Sequence, residues 1–274
     1  MIEGNLTKMA VQADSEAQYI LRLSDHRVAL NPLIGKHVAF KFNGVINCIH
    51  CGRVTKKSFS QGYCFPCSKK LAACDICIVK PERCHYEQGT CREPQWGLQN
   101  CFQAHYVYLA NSSGIKVGIT RHSQVPTRWL DQGAEQALPI YRVANRLISG
   151  LVEDALKAHV SDRTDWRKML KGEAEPKDLM QIRDELYEKN INTEQLMLER
   201  FGDQAIERLT QENLVNFKYP VSEYPAKISS LGFDKTPEIA GELQGIKGQY
   251  LYIDGKVLNL RKHTGYHIAF DSQQ

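Results

Sequence analysis

Two cysteine pairs dominate the chemistry this chain could perform. Cys48-x2-Cys51 is followed twelve residues later by Cys64-x2-Cys67. Each pair places two thiolates on one tight turn, which Gly52 and Pro66 suit. Two such turns close a tetrahedron around Zn²⁺ in the manner of a zinc ribbon. A redox dithiol would not need two matched pairs. More donors follow at once: Cys74-x2-Cys77, Cys84-His85, Cys91, Cys101 and His105. Cys74, Cys77, Cys84 and Cys91 form the expected ligand set of a second zinc, with His85 or Cys101 able to replace one of them. Protein ligands fill every position, so one or two zinc ions are expected in a structural role, and this segment should fold only with metal.

The stretch HYVYLANSSGIKVGITRHSQVPTRWLDQGA, with GLVEDALKAH after it, has a second kind of order. It resembles the GIY-YIG nuclease superfamily, in its phage-type branch, over about residues 105–170. The whole chain also looks like an uncharacterised bacterial family that joins a zinc module to such a core. Val107-Tyr108 falls at the first tyrosine strand and Lys116-Val117-Gly118 at the second triplet. Arg128 falls at the arginine of the following helix, ten residues after Gly118, and Glu153 at the acidic metal ligand. The resemblance implies a metal-dependent endonuclease. Tyr108 would stand near the nucleophile, Arg128 would clamp the phosphate, and Glu153 would hold one hydrated Mg²⁺ or Mn²⁺, an ion that keeps most of its waters. Lys116 departs from the pattern, because it replaces the second tyrosine. A lysine acts as a base only when its pKa is depressed. Tyr106, two residues before Tyr108 on the same strand face, offers another phenol.

Each residue also has an ordinary structural reading. Tyr108 could be a strand aromatic, Arg128 a surface charge, and Glu153 the helical partner of Lys157 one turn later. Trp129 reads as core. Asp162, Arg163, Asp165 and Trp166 read as a helix start with its caps.

These residues need elements to hold them. The chain has 274 residues, 42% hydrophobic and 24% charged, which is ordinary for a globular protein. Alternating runs predict strands over 18–47, with Asn43-Gly44 as a hairpin turn. A second hairpin is expected around Asn111–Gly114, and a third around Asp254-Gly255. Helices are expected near Val125–Gln132 and Arg142–Val160 and through 175–215. The segments around Asn43-Gly44 and Asp254-Gly255 can be overlaid, which suggests a hairpin repeat whose halves pair. The fold class is therefore α+β: an N-terminal β segment (1–47), a zinc module (48–104), a GIY-YIG-like α/β core (105–172), an acidic helical segment (173–215) and a C-terminal β-hairpin region (216–274).

Charge and composition narrow the function classes. The formal net charge is +4, but residues 48–92 carry eight Lys/Arg against three Asp/Glu, and residues 173–215 carry five against eleven. A basic face beside a metal module suits a polyanion partner, DNA or RNA, gripped through Lys56, Lys57, Lys69 and Lys70. No apolar run approaches the ~20 residues of a membrane helix, and the first residues are too polar for a secretory signal. The expected location is the cytoplasm, where paired cysteines bind metal rather than form disulfides. Three functions stay open: a metal-dependent nuclease, a nucleic-acid-binding protein that does not cut, and a zinc-stabilised adaptor that binds a protein partner through the acidic segment.

Overall fold

The computed structural model describes residues 1–161 and 163–272; Asp162 lies outside them. The architecture is mixed α and β. Three sheets organise it. A seven-stranded sheet joins the two ends of the chain, a three-stranded sheet covers it, and a five-stranded sheet forms the centre. No helix among the described residues is long and apolar enough to cross a membrane.

The end-to-end sheet has an internal two-fold character. Its middle pair is His37–Ile46 against Tyr266–Ser272, antiparallel. Outside them lie Glu238–Lys247 on the first and Ile2–Asn5 on the second. Each half therefore lends its first strand to the other half's last. The reciprocal bonds match: Gly35 N–H donates to Leu243 O and Gly265 N–H to Leu6 O, both at 2.8 Å. The Asn5 amide bonds Ser24 Oγ and the Glu242 amide bonds Asp254 Oδ1, both at 2.9 Å. A Cβ at Gly4 would lie 2.8 Å from the Leu23 backbone, and one at Gly241 would lie 2.2 Å from Asp254 Oδ2, so both turns need a glycine opposite. The repeat is thus present, in a register other than the expected one. Ser24, with φ +49°, is the counterpart of Asp254, with φ +46°.

Asn43-Gly44 is correspondingly not a hairpin. The strand His37–Ile46 runs through it. Gly44 takes φ +85° where the register against Tyr266–Ile268 shifts, and the Asn43 side chain accepts from the Val45 amide. An Asn-Gly step supplies left-handed backbone to a bulge as readily as to a turn. The other two expected hairpins form, His105–Asn111 with Ile115–Arg121 and Tyr250–Ile253 with Lys256–Asn259.

The central sheet holds a strand absent from the expectation, Gln136–Val143. Pro139 obscures its pattern; the ladder tolerates it because the register against Val107–Tyr108 shifts there. The following helix is therefore shorter than expected, Arg146–Leu156, and is capped by Asn145, whose side chain accepts from the Ile148 amide. The acidic segment is helical over Leu179–Lys189 and Ile191–Phe201 only. It then returns as strands Ile206–Arg208 and Val215–Asn216 on the central sheet. Its Leu179, Leu186 and Met197 share one core with Val107, Leu109, Ile140, Ile148 and Val152. Asp165 caps the short helix Trp166–Leu170, as expected.

Candidate functional site

Thiols Cys48, Cys51, Cys64 and Cys67 have all their donor atoms within 4.8 Å of one another. Cys51 and Cys64 Sγ are 3.8 Å apart. A tetrahedral zinc with Zn–S near 2.3 Å requires edges of about 3.8 Å. Local backbone builds the two turns. Gly52 takes φ +72° and its amide bonds Cys48 O, while Cys64 begins the helix Phe65–Lys70 with Pro66 in its first turn. Burial pushes the Cys48 thiol up, but the backbone amides of Cys51, Cys64 and His50 more than reverse this and bring it down to about 6. Burial and the neighbouring thiols push Cys67 up. Four crowded thiols cannot all ionise without a cation, and a soft divalent ion relieves that conflict. These four cysteines could hold a metal ion compatible with zinc.

Beside this centre runs a groove of about 710 Å³. Tyr108, Lys116, Arg128 and Glu153, from four separate elements, all line it. Tyr108 is fully buried across Gly118, its strand partner, and a Cβ at Gly118 would lie 2.7 Å from the phenol. Glycine in the second triplet thus makes room for the first tyrosine. Gly118→Ala should displace that ring and cost about 1–3 kcal/mol by overpacking, read as a lower urea midpoint. Gln132 ties the pair together: its Oε1 accepts from Tyr108 Oη at 2.8 Å and from Lys116 Nζ at 3.2 Å. Lys116 also donates to Thr164 Oγ1 at 2.6 Å. Burial raises the Tyr108 pKa, Arg128 lowers it, and Glu153 raises it.

Burial first and Arg128 second lower the Lys116 amine from 10.5 to about 8. The unfolded lysine keeps its proton to about pH 10.4. Between about pH 8 and 10.5 the unfolded chain therefore binds more protons than the folded one, and this site's contribution makes stability rise with pH. The penalty, present in full below that window, is on the order of 3 kcal/mol. Lys116→Met should remove this rise, as urea unfolding at pH 7.5 and 10 would show.

Arg121, Arg146, Arg261 and Lys8 bring further positive charge to the groove. Arg146 is held by the Ile78 carbonyl at 2.6 Å, and its Nε is buried with no partner among the described residues. Arg261 reaches in from the C-terminal half and bonds Gln61, between the two cysteine pairs, at 2.6 Å. Of the acids, Asp131 is taken by Lys8 at 2.5 Å and by Gln249 at 2.9 Å, and Asp75 by Arg92 at 2.7 Å. Glu153 has Lys157 one turn away at 4.0 Å. Tyr106 turns instead to His122, 2.9 Å away, and is not among the groove's lining residues. Trp129 is core, edge-on to Tyr108.

A family profile matches residues 35–268. The chain belongs to the DUF2797 family, described as a protein of unknown function. No curated protein and no solved structure matches it. In this DUF2797 chain the second cysteine group is divided. Cys77, Cys84, Cys91 and Cys101 line one small cavity, while Cys74 lines the groove instead. Cys74, expected in one set with Cys77, Cys84 and Cys91, thus lines a different space from them, and Cys101 lines theirs. Cys74 ends the turn Ala72–Cys74 and Cys77 sits in the next turn, Ile76–Ile78. Asp75, Cys77 and His85 also offer donor atoms within 4.8 Å of one another. Sequence reasoning missed Gln132, Arg121, Arg146 and Arg261. The three arginines lie outside the basic stretch 48–92, and nothing in the sequence marked them as facing one space.

Proposed function

We propose that this chain binds nucleic acid in the groove beside the zinc ribbon and cleaves a phosphodiester bond on a GIY-YIG-like core, using a divalent ion at Glu153. The supporting observation is the convergence of Tyr108, Lys116, Arg128 and Glu153 on one groove. Arg128 binds the scissile phosphate, and its fork suits two phosphate oxygens. Arg146, with its unmatched Nε, and Arg121 receive neighbouring phosphates. Lys116 with a pKa near 8 is about one-tenth neutral at pH 7, so it can take a proton from water where an ordinary lysine cannot. Gln132 fixes both its ammonium and the Tyr108 phenol. Glu153, one of three carboxylates lining the groove beside the paired Asp75 and Asp131, suits a hydrated Mg²⁺ or Mn²⁺, which when bound would supply charge stabilisation at the leaving oxygen. The four-thiolate site is closed by protein ligands and suits structural zinc. A four-cysteine metal site suits a cytoplasm, where thiols are kept reduced.

A second reading has its own support. Lys116 stands where the resemblance expects a tyrosine and is fixed by two hydrogen bonds, which suits a scaffold that binds without cutting. The adaptor reading draws on Ile191 and Leu196, both exposed on the acidic helices.

Incubation with plasmid, single-stranded DNA and RNA in Mn²⁺ separates the three. Metal-dependent cutting supports the nuclease. Binding that weakens steeply with salt, without cutting, supports the second reading. No binding to any of them leaves the adaptor.

A further inference from the structure

Behind the groove lies the second cysteine group. Cys77 sits in the turn Ile76–Ile78, Cys84 closes the turn Pro81–Arg83, Cys91 follows in the loop, and Cys101 closes the helix Pro94–Asn100. All four line a cavity of about 20 Å³, walled by Tyr86, Trp96 and Phe102. That is room for one water-sized particle. Gly97 lets the loop close over it, since a Cβ there would stand 3.3 Å from the Tyr86 ring and 3.6 Å from Cys91 Sγ. Of the competing trio Asp75, Cys77 and His85, the carboxylate is already engaged, and His85 Nε2 lies 3.4 Å from it. The Asp75 carboxylate accepts from the Ile76 amide and pairs with Arg92 at 2.7 Å, and His85 Nδ1 is 2.8 Å from Thr90 Oγ1.

We propose a second zinc centre in this cavity, held by the thiolates of Cys77, Cys84, Cys91 and Cys101, with Cys74 as the one cysteine outside both centres. Four cysteines lining one small cavity suit a soft tetrahedral ion, which would draw their thiolates together. The centre also positions the groove. The Cys101 carbonyl accepts from the Arg146 amide at 2.9 Å, and the carbonyl beside Cys77, that of Ile78, accepts from the Arg146 guanidinium. Backbone of this cysteine segment packs so closely on the helix Arg146–Leu156 that a Cβ at Gly150 would lie 2.6 Å from the Glu82 nitrogen. The inference stands whether or not the groove cuts nucleic acid.

Elemental analysis of the intact chain should find two zinc ions per molecule. Brief alkylation of the native protein, mapped by mass spectrometry, should label Cys74 among its nine cysteines, with the other eight labelled only after chelation. Cys74→Ser should retain both ions, and Cys101→Ser should retain one. A single zinc per intact chain, or iron with sulfide in this site, overturns the assignment. So does labelling of Cys77, Cys84, Cys91 and Cys101 alongside Cys74. Should Cys101→Ser fail to fold, the metal count and labelling of the intact chain still decide.

Discussion

Arg128→Ala should lower Mn²⁺-dependent strand cleavage about a hundred- to a thousandfold, the usual loss when one preorganised transition-state donor is removed. The expectation comes from the central place of this guanidinium. Its charge lowers the pKa of Tyr108, Lys116, Arg146 and Arg261 alike. No other groove cation acts on all four. The helix that carries it, Thr127–Asp131, is pinned at its far end, where Asp131 bonds Lys8 and Gln249. The substitution therefore removes charge without releasing the helix, and thermal stability should change little. Arg128→Lys should recover only part of the activity, because an ammonium cannot match two phosphate oxygens with a fixed fork. The same loss of cleavage with unchanged binding of a short oligonucleotide would assign Arg128 to the transition state rather than to grip.

Removal of a zinc ion held by Cys48, Cys51, Cys64 and Cys67 should have the largest structural effect. Structural zinc in small modules contributes apparent binding energies of about 10–16 kcal/mol, as large as the total stability of a typical domain, about 5–15 kcal/mol. The segment carrying these cysteines, the proposed ribbon, is also a wall of the groove. Ser60, Gln61 and Tyr63 line it, Gln61 holds Arg261, and Ser58 bonds the Thr264 carbonyl at 2.9 Å. Cys64→Ser, or a strong chelator, should therefore release the ribbon and uncouple Arg261 as well. Nucleic-acid binding should fall with the ribbon's order, and zinc should restore both after chelation. Circular dichroism with a zinc-release assay would follow the loss. A chain that keeps its thermal transition after complete zinc removal would contradict this account of the ribbon.

Much of this was legible in the sequence, for physical reasons that differ by element. The matched Cys-x2-Cys pairs carry their geometry in their spacing, and Cys48, Cys51, Cys64 and Cys67 do converge. Asp254-Gly255 also behaves as its spacing suggests, with both residues at positive φ in a two-residue hairpin turn. Asn43-Gly44 has the same local preference, but its neighbours pair with strands nearly two hundred residues or more away, and tertiary pairing turns the step into a bulge. Pro139 hid a central strand for the opposite reason, since a propensity against strands was overridden by a bulge. The division of Cys74 from Cys77 could not be read from spacing, because each sits in its own short turn and lines a different space. Arg261 is the extreme case. It reaches the groove only because the two ends of the chain share one sheet.

The most direct test is cleavage of an end-labelled oligonucleotide in Mn²⁺ by the intact chain and by Glu153→Gln. The account predicts products with the intact chain and their loss with Glu153→Gln, while salt-sensitive binding persists in both. Cleavage by Glu153→Gln at the rate of the intact chain, or no metal-dependent product from the intact chain on DNA or RNA, would contradict it.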